Sequence, residues 1–208
     1  MGFLDRFLKA PSWGVHPEDH KRPAADVPLR LFPSPERVFM PLHQHVGGAA
    51  RPVVLVGQKV LKGQLIADAQ GNISAPIHAS VSGTISAVGD VTAPHPSGLP
   101  FKAITIDSDG ADRWIDTEPL VDPFSAAPEE IARRAAQAGV VGLGGATFPA
   151  AVKFALGKRL KVATLIVNGG ECEPYLSSDD RIMRDFADQV VDGARLVMYA
   201  IGAGEALV

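Results

Sequence analysis

Residues 56–64 read Val56-Gly57-Gln58-Lys59-Val60-Leu61-Lys62-Gly63-Gln64, a stretch with two glycines, which favour tight turns. Short apolar alternations lie around it, at residues 38–40, 53–56, 64–67, 85–88 and 103–106. Such alternation is typical of strands with one buried face. Together they predict a compact all-β unit over residues 37–117.

The segment before this unit, residues 1–36, carries two different patterns. Phe3, Leu4, Phe7 and Leu8 fall on one face of a short amphipathic helix over residues 3–9. That pattern predicts a foot that docks on a membrane surface or a partner protein, with a frayed terminus as the alternative. The many prolines of residues 13–35 exclude long regular elements, so we expect an extended arm wrapped on the next domain.

In the segment after the β unit, residues 118–208, the spacing of apolar residues becomes that of helices alternating with a strand, which is typical of an α/β structure. The sequence predicts helices at 128–138 and 148–156, the second ended by Gly157, and a buried-type strand at 162–167. A capping box of Ser177 and Asp180 is predicted to begin a long apolar helix, and residues 206–208 are a candidate strand. Because an α/β layer needs several strands, we expect this domain to be cut short.

Composition excludes several classes of function. With 20 Lys and Arg against 23 Asp and Glu, the net charge of -3 offers no cationic surface for nucleic acid. A single cysteine, Cys172, excludes an internal disulfide, a four-thiolate zinc site and an iron–sulfur cluster built from this chain alone. No apolar run reaches the roughly 20 residues of a membrane-spanning helix, so we expect a soluble or peripheral protein in a reducing, cytoplasmic setting.

A glycine-rich turn leads directly into the helix predicted at 148–156. It reads Gly142-Leu143-Gly144-Gly145-Ala146-Thr147-Phe148-Pro149 and is followed by Lys153. Backbone without side chains lets N–H groups approach a phosphate, and a helix N-terminus adds positive potential. The spacing is neither the dinucleotide fingerprint nor a Walker A loop, so tight helix packing is the alternative explanation for the glycines.

A polar segment follows the predicted strand at 162–167, reading Asn168-Gly169-Gly170-Glu171-Cys172-Glu173-Pro174. Open α/β sheets bind ligands beyond the carboxyl ends of their strands. The carboxylates of Glu171 and Glu173 can accept hydrogen bonds there from ribityl or ribose hydroxyls, and Asn168 is a further polar residue of the segment. An ordinary solvated turn is the alternative.

Taken together, the two segments resemble the flavin- and NADH-binding region of the complex I flavoprotein subunit and its Rnf relatives. The resemblance implies that the loop meets the FMN phosphate and the nucleotide, and that the lysine lies beside the flavin. It also implies that the asparagine and the acids line the flavin and nicotinamide pocket. The site residues implied are Gly142, Gly144, Gly145, Ala146, Lys153, Asn168, Glu171 and Glu173.

Histidine-containing phrases narrow the resemblance to the N-terminal part of the RnfC protein of the Rnf (Rsx) ion-translocating electron-transport complex. They lie at residues 16–21, 41–45, 75–80 and 94–100, and residues 171–175 agree. Residues 56–64 and 80–85 are similar to a turn and a strand of the biotinyl/lipoyl carrier barrel. The implied fold is a barrel-sandwich hybrid followed by an incomplete Rossmann-like α/β domain of the complex I flavoprotein type.

The function implied is that of an NADH-linked electron-transfer oxidoreductase subunit of the translocase class. Electrons would pass from NADH through FMN to 4Fe-4S clusters, whose cysteines this chain lacks, so the 208-residue chain alone is expected to be inactive. Its partners would be NADH and the other Rnf subunits, at the cytoplasmic face of the inner membrane. Attachment would be peripheral, through partners or residues 3–9. The alternative is a non-catalytic assembly module with a vestigial loop.

Three positions depart from the complex I pattern. Val141 and Leu143 stand where that loop carries arginines, and Gly170 stands where it has an acid. Neutralisation of a phosphate must therefore come from the backbone, from Lys153 or from groups outside this chain.

The remaining candidate sites are a histidine trio, a carrier lysine and the thiol. His43, His45 and His78 could hold a metal, but no carboxylate or thiolate completes the set, so structural histidines are favoured. Residues 68–76 hold no lysine for a carrier function, so the barrel is predicted to be a scaffold. Cys172 is either a soft contact beside a cofactor or an inert small residue.

Overall fold

The computed structural model describes residues 14–15, 17–94, 96–157 and 160–208. The predicted foot at residues 3–9 lies outside them, as do His16 and His95. The described residues form two compact units: a larger one of Arg30–Asn168 with Asp188–Val208, and a smaller one of residues up to Leu29 with Gly169–Ala187. Neither coincides with a predicted segment, and the limits 1–36, 37–117 and 118–208 stay predictions. Among the described residues, no helix is both long and apolar enough to cross a bilayer.

The first part of the larger unit consists of antiparallel β-strands in two sheets. One sheet has the order β1-β7-β6-β3 and the other the order β2-β4-β5. The strands are β1 (Arg37–Pro41), β2 (Arg51–Pro52), β3 (Lys59–Val60), β4 (Leu65–Asp68), β5 (Ile77–His78), β6 (Gly83–Thr92) and β7 (Pro100–Ser108). The predicted strands at 38–40, 64–67, 85–88 and 103–106 are thus confirmed, although β6 and β7 extend up to four residues beyond the predicted ends.

The core of this β unit is built from branched aliphatic residues on facing strands. Ile66, Ile85, Ile104 and Ile106 are fully buried. Ile106 lies opposite Val38 on one side and Ile85 on the other, because β7 lies between β1 and β6 in the sheet. Each such isoleucine contributes about 1.5–3 kcal/mol by leaving water.

Two similar turns set the path around the first sheet. Leu55 and Gln58 close one turn and Leu61 and Gln64 close the other, each by a backbone bond of 3.1 Å and a glutamine side chain that accepts from the leucine N–H. Their third residues are glycines, Gly57 with φ +87° and Gly63 with φ +81°. A turn with positive φ at its third position favours glycine, which explains the glycines of the opening stretch.

The prediction of a strand at residues 53–56 was wrong. Val54 is buried, but Leu55 and Val56 are mostly exposed and already belong to the first turn. The Val53 N–H donates to the Ile66 carbonyl at 3.0 Å, while the Leu55 N–H donates to the Gln58 side chain. The backbone N–H and carbonyl of Leu55 are therefore used within the turn and do not pair with a neighbouring strand.

The second part of the larger unit contains helices and a small parallel sheet. A 3₁₀ turn at Pro123–Ser125 precedes α2 (Pro128–Gln137), which is followed by α3 (Ala150–Gly157) and β8 (Thr164–Ile166). After the smaller unit's α4 (Ser178–Asp185) come α5 (Ala187–Ile201) and β9 (Glu205–Leu207). β8 and β9 pair in parallel. The predicted helices at 128–138 and 148–156 and the terminal strand are confirmed.

Two expectations for this part were wrong. The strand at 162–167 is not of the buried type, because β8 has a single partner strand among the described residues and Ile166 is 71% exposed. The long helix is interrupted: α4 ends at Asp185, and Phe186, with φ -130°, leaves the helical conformation before α5 begins. Gly157 ends α3 as predicted, and its missing side chain also admits Ile201, whose Cα would lie 2.8 Å from an added Cβ.

The smaller unit brings together two segments that are far apart in sequence. The arm contains α1 (Arg22–Ala25), a single helical turn that begins at a proline-containing stretch. We predicted that this arm wraps on the next domain along the chain. Only its last residues, 30–35, belong to the unit that holds the β-strands, where Ser34 Oγ lies 3.5 Å from Ser108 Oγ. The described residues before them, up to Leu29, cluster with Gly169–Ala187, and the Tyr175 N–H donates to the Asp19 carbonyl at 2.8 Å. No local pattern indicates such a distant partner.

Candidate functional site

The glycine-rich loop of the larger unit is closed at its base by backbone hydrogen bonds. The Gly142 N–H donates to the Phe148 carbonyl, and the Ala150 N–H donates to the Val140 carbonyl, both at 2.9 Å. Residues 143–146 beyond this neck are exposed. The loop therefore has fixed ends, and its tip presents backbone to solvent.

The environment of the glycines decides between the two explanations of the loop. A Cβ added at Gly144 or Gly145 would meet no atom within 4 Å, and at Gly142 the nearest atom would be the Phe148 carbonyl oxygen at 3.8 Å. Tight helix packing therefore does not account for these glycines. Gly145 has φ +97°, a backbone conformation that glycine adopts readily, whereas the φ of Gly144 lies outside that region.

The loop also contains a strained residue and ends at a helix N-terminus. Thr147 has φ +44°, which is uncommon for a β-branched side chain. Ala150 begins α3, whose first N–H groups and dipole give the loop's end a positive potential. An exposed glycine backbone, followed by a helix N-terminus, fits the phosphate of a nucleotide or flavin.

Lys153 lies one turn into α3 and is exposed. Its Nζ is 5.9 Å from the centre of the Phe148 ring, a cation–π distance. The ring belongs to the last residues of the loop, so the ammonium group stays near the loop's base. Because Val141 and Leu143 carry no charge, Lys153 is a cation well placed to balance an anionic ligand at this loop.

A cleft of about 290 Å³ adjoins one side of the loop. Leu143 and Thr147 of the loop line it together with Gly139, His45 and His78. Ligand pockets commonly measure about 300–1,000 Å³, so the cleft can take part of a ligand.

Asn168 lies two residues beyond β8, at the carboxyl end of the strand, and is exposed. The preceding Val167 N–H donates to the Leu207 carbonyl at 2.8 Å, which extends the β8–β9 pairing to the edge of this segment. Asn168 is thus placed where open α/β sheets present ligand-binding residues.

Glu171 belongs to the smaller unit and caps α4. Its Oε1 accepts hydrogen bonds from the Asp179 N–H at 3.0 Å and from the Ser178 hydroxyl at 2.9 Å. The bond from the Asp179 backbone, with those from Ser178 and the nearby Lys21 charge, holds the pKa of Glu171 below its usual range. The predicted capping box of Ser177 and Asp180 was wrong, because the Ser177 side chain makes no capping bond. A carboxylate from before the helix takes that role.

The rest of the strand-end segment is open to solvent. Cys172 and Glu173 are exposed, and Tyr175 is 62% exposed with φ +70°. The loop residues, Lys153 and Asn168 thus lie in the larger unit, while Glu171 and Glu173 lie in the smaller one.

The histidines considered as a metal trio have structural partners. His45 is buried, its Nε2 accepts from the Ala75 N–H at 3.1 Å, and its Nδ1 lies 3.2 Å from the Val46 carbonyl. His43 Nε2 lies 3.1 Å from the Gly47 carbonyl. Burial lowers the pKa of His78, partly offset by its bond to the Gln137 backbone. In the described part of the chain, no group of three or more metal-binding side chains occurs.

Sequence reasoning missed two features of the site. The first is the capping role of Glu171, for which the signal was an acid shortly before a helix that starts Ser178-Asp179-Asp180. The second is the positive φ of Thr147, for which the sequence gives no signal.

Comparison with known proteins agrees with this architecture. Residues 11–111 match a family described as the RnfC barrel sandwich hybrid domain, and residues 135–208 match the Nuo51 FMN-binding domain. These matches confirm the predicted fold class, a barrel-sandwich hybrid followed by an α/β domain of the complex I flavoprotein type.

Several curated relatives share one description, that of the RnfC component of an ion-translocating oxidoreductase complex. The protein from Rhodobacter capsulatus is 49% identical over 94% of this chain and 38% of its own length. Those from Pasteurella multocida and Pseudomonas aeruginosa are 40% and 46% identical over 97% and 91% of this chain, each over 24% of its own length. The chain therefore spans well under half the length of these relatives.

Proposed function

The chain belongs to the RnfC family of ion-translocating oxidoreductase complexes, and on that premise we propose that it binds FMN and receives electrons from NADH. The observation that supports this most is the glycine loop. A Cβ at Gly144 would meet no atom within 4 Å and its backbone does not require glycine, so neither packing nor conformation accounts for that glycine, which supports a ligand at the loop.

In this proposal, each part of the loop has a separate task. The backbone N–H groups of Gly144, Gly145 and Ala146 would hold the FMN phosphate, and Gly142, whose own N–H donates to the Phe148 carbonyl, would fix the base of the loop. Lys153 places a positive charge beside the flavin. When bound, FMN would supply the redox chemistry, acceptance of a hydride and release of single electrons.

The resemblance also implies roles for the strand-end residues. Asn168 supplies an amide at the carboxyl end of β8, and Glu171 and Glu173 supply carboxylates for flavin or nicotinamide contacts, as the resemblance implies. The electrons would leave for 4Fe-4S clusters in the part of the relatives that this chain does not span. The protein would be a peripheral subunit at the cytoplasmic face of the inner membrane, held by the other Rnf subunits or by residues 3–9.

The test is FMN binding by the 208-residue chain and by a chimera. The chimera joins the chain to the part of the Rhodobacter capsulatus relative that follows the matched region. We expect the chimera to retain FMN through gel filtration. Addition of NADH should then bleach the visible absorbance of the bound flavin, because reduced flavin loses that absorbance. A folded chimera that takes up no FMN would refute the proposal.

One observation favours the alternative of a non-catalytic assembly module. The Glu171 carboxylate, predicted to bind a ligand, already has two hydrogen-bond donors within its own unit. Replacing Glu171 with Gln separates the two roles. If the acid only caps α4, the variant loses helix stability and keeps its FMN affinity; if it also binds flavin, both fall.

A further inference from the structure

Residues 19–21 of the N-terminal arm contact residues 171–175 of the strand-end segment, within the smaller unit, at three points. Lys21 Nζ donates to the Glu171 carbonyl at 3.0 Å, across 150 positions of sequence. The Tyr175 N–H donates to the Asp19 carbonyl at 2.8 Å. The His20 and Tyr175 rings stack with centroids 5.0 Å apart and an interplanar angle of 16°.

Backbone strain is concentrated at the same contact. Four described non-glycine residues have positive φ, and two of them are the stacked pair, His20 at +49° and Tyr175 at +70°. A third, Thr147, lies in the glycine loop. Such conformations persist only where surrounding contacts determine them, and they cluster at functional sites.

Burial does not explain this contact. Tyr175 is 62% exposed, and the His20 side chain is 45% exposed. A pair that leaves so much aromatic surface in water gains little from the hydrophobic effect. The stack therefore sets the path of the two chain segments more than it stabilises a core.

Glu171 is held from two sides by this arrangement. Lys21 of the arm donates to its backbone carbonyl, and Ser178 and Asp179 of α4 donate to its carboxylate. Both its backbone and its side chain are therefore held, and the segment from Glu171 to Tyr175 contacts the arm at both ends.

We infer that Asp19, His20 and Lys21 are positioning residues, which clamp the segment from Glu171 to Tyr175 in the geometry that its acids need toward the nicotinamide dinucleotide. The inference rests on the proposed function for the identity of the ligand. It assigns the arm a role toward the acids of its own unit, although neither its sequence pattern nor its distance along the chain suggests that role.

The first test needs no ligand and uses the 208-residue chain. Lys21→Met removes the ammonium donor and keeps the stem, Lys21→Arg keeps a donor, and Arg22→Met removes the neighbouring exposed cation as a control. Hydrogen exchange of the Tyr175 amide should accelerate at least about tenfold in Lys21→Met, the effect of losing a charged hydrogen bond. It should stay near the wild-type rate in the other two. Unchanged exchange in Lys21→Met would overturn the inference.

The second test measures NADH-dependent flavin reduction in the chimera. We expect Lys21→Met to raise KM for NADH about tenfold while FMN content and melting temperature hold, and Lys21→Arg to restore most of the affinity. Faster exchange with an unchanged KM would make the clamp merely structural and would also overturn the inference. If the wild-type chimera binds no FMN, the proposed function fails, and the exchange experiment still decides whether the clamp exists.

Discussion

Replacing Gly144 with valine should leave the unliganded fold intact and abolish tight FMN binding. A Cβ at this position meets no atom within 4 Å, and its φ lies outside the left-handed region. Replacing a glycine where the backbone suits other residues stabilises a protein by about 0.4–1 kcal/mol through the unfolded state. The unliganded variant should therefore be as stable as wild type or slightly more so.

A variant of the next residue, Gly145, distinguishes the effect of backbone strain from the effect of blocking the ligand. It has equal space but φ +97°, so an alanine there should cost about 1–2 kcal/mol of loop stability. Stability should thus change in opposite directions for the two variants, while FMN affinity falls in both. For Gly144→Val we expect a loss of at least about tenfold, which corresponds to about 1.4 kcal/mol.

The assay combines urea melts of the 208-residue chain with FMN titration of the chimera, followed by flavin fluorescence. Gly89→Val is a matched control, because it also meets no atom within 4 Å but lies on strand β6. It should bind FMN as wild type does. A folded Gly144→Val chimera with wild-type FMN affinity would refute the assignment of the loop to the phosphate.

Three further predictions follow from single contacts. Gly139→Ala should lower the melting temperature more than Gly98→Ala, because both glycines have positive φ but only at Gly139 would a Cβ lie 2.6 Å from the Pro76 carbonyl oxygen. Lys153→Ala should leave the melt unchanged and lower the midpoint potential of bound FMN in a spectroelectrochemical titration, since a nearby cation favours added negative charge; an unchanged potential would place the lysine away from the flavin. Asp109 has its pKa lowered to about 2, chiefly by the Ser82 hydroxyl and then by Arg113. Because the folded pKa lies below the unfolded one, its stabilisation is present above about pH 4 and is lost as pH falls through about 2. Melts of Asp109→Asn should therefore differ from wild type at about pH 5 and converge with it near the lower pH, and a constant difference would contradict this.

The β unit was largely predictable because its information is local. Apolar alternation identified four of the five strands it proposed, since each buries one face on the same isoleucine core. The failure at residues 53–56 has a local cause too. Four consecutive apolar residues resemble a strand. Leu55 and Val56, however, form a turn with Gly57 and Gln58, which the hydrogen bonds between Leu55 and Gln58 close. Periodicity alone does not separate these outcomes.

The smaller unit was not predictable, because its contacts join segments about 150 residues apart. A capping box was expected from the spacing of Ser177 and Asp180. The N-terminus of α4 is capped instead by the carboxylate of Glu171, which lies outside the helix. Glu171 is ionised and lies next to the positive end of α4, so it competes better than a neutral hydroxyl for the free N–H groups. Local spacing cannot reveal such a competitor.

These long-range contacts also give a physical reason why the resemblance has two distant ends. The phrases around residues 16–21 and 171–175 both carried it, although one lies in a proline-rich arm and the other after a strand. In the structure, Asp19, His20 and Lys21 are bound to Glu171 and Tyr175. A change in the arm therefore alters the environment of the acids as directly as a change beside them. The arm, predicted only to be an extended segment, must therefore be included when variants of these acids are designed.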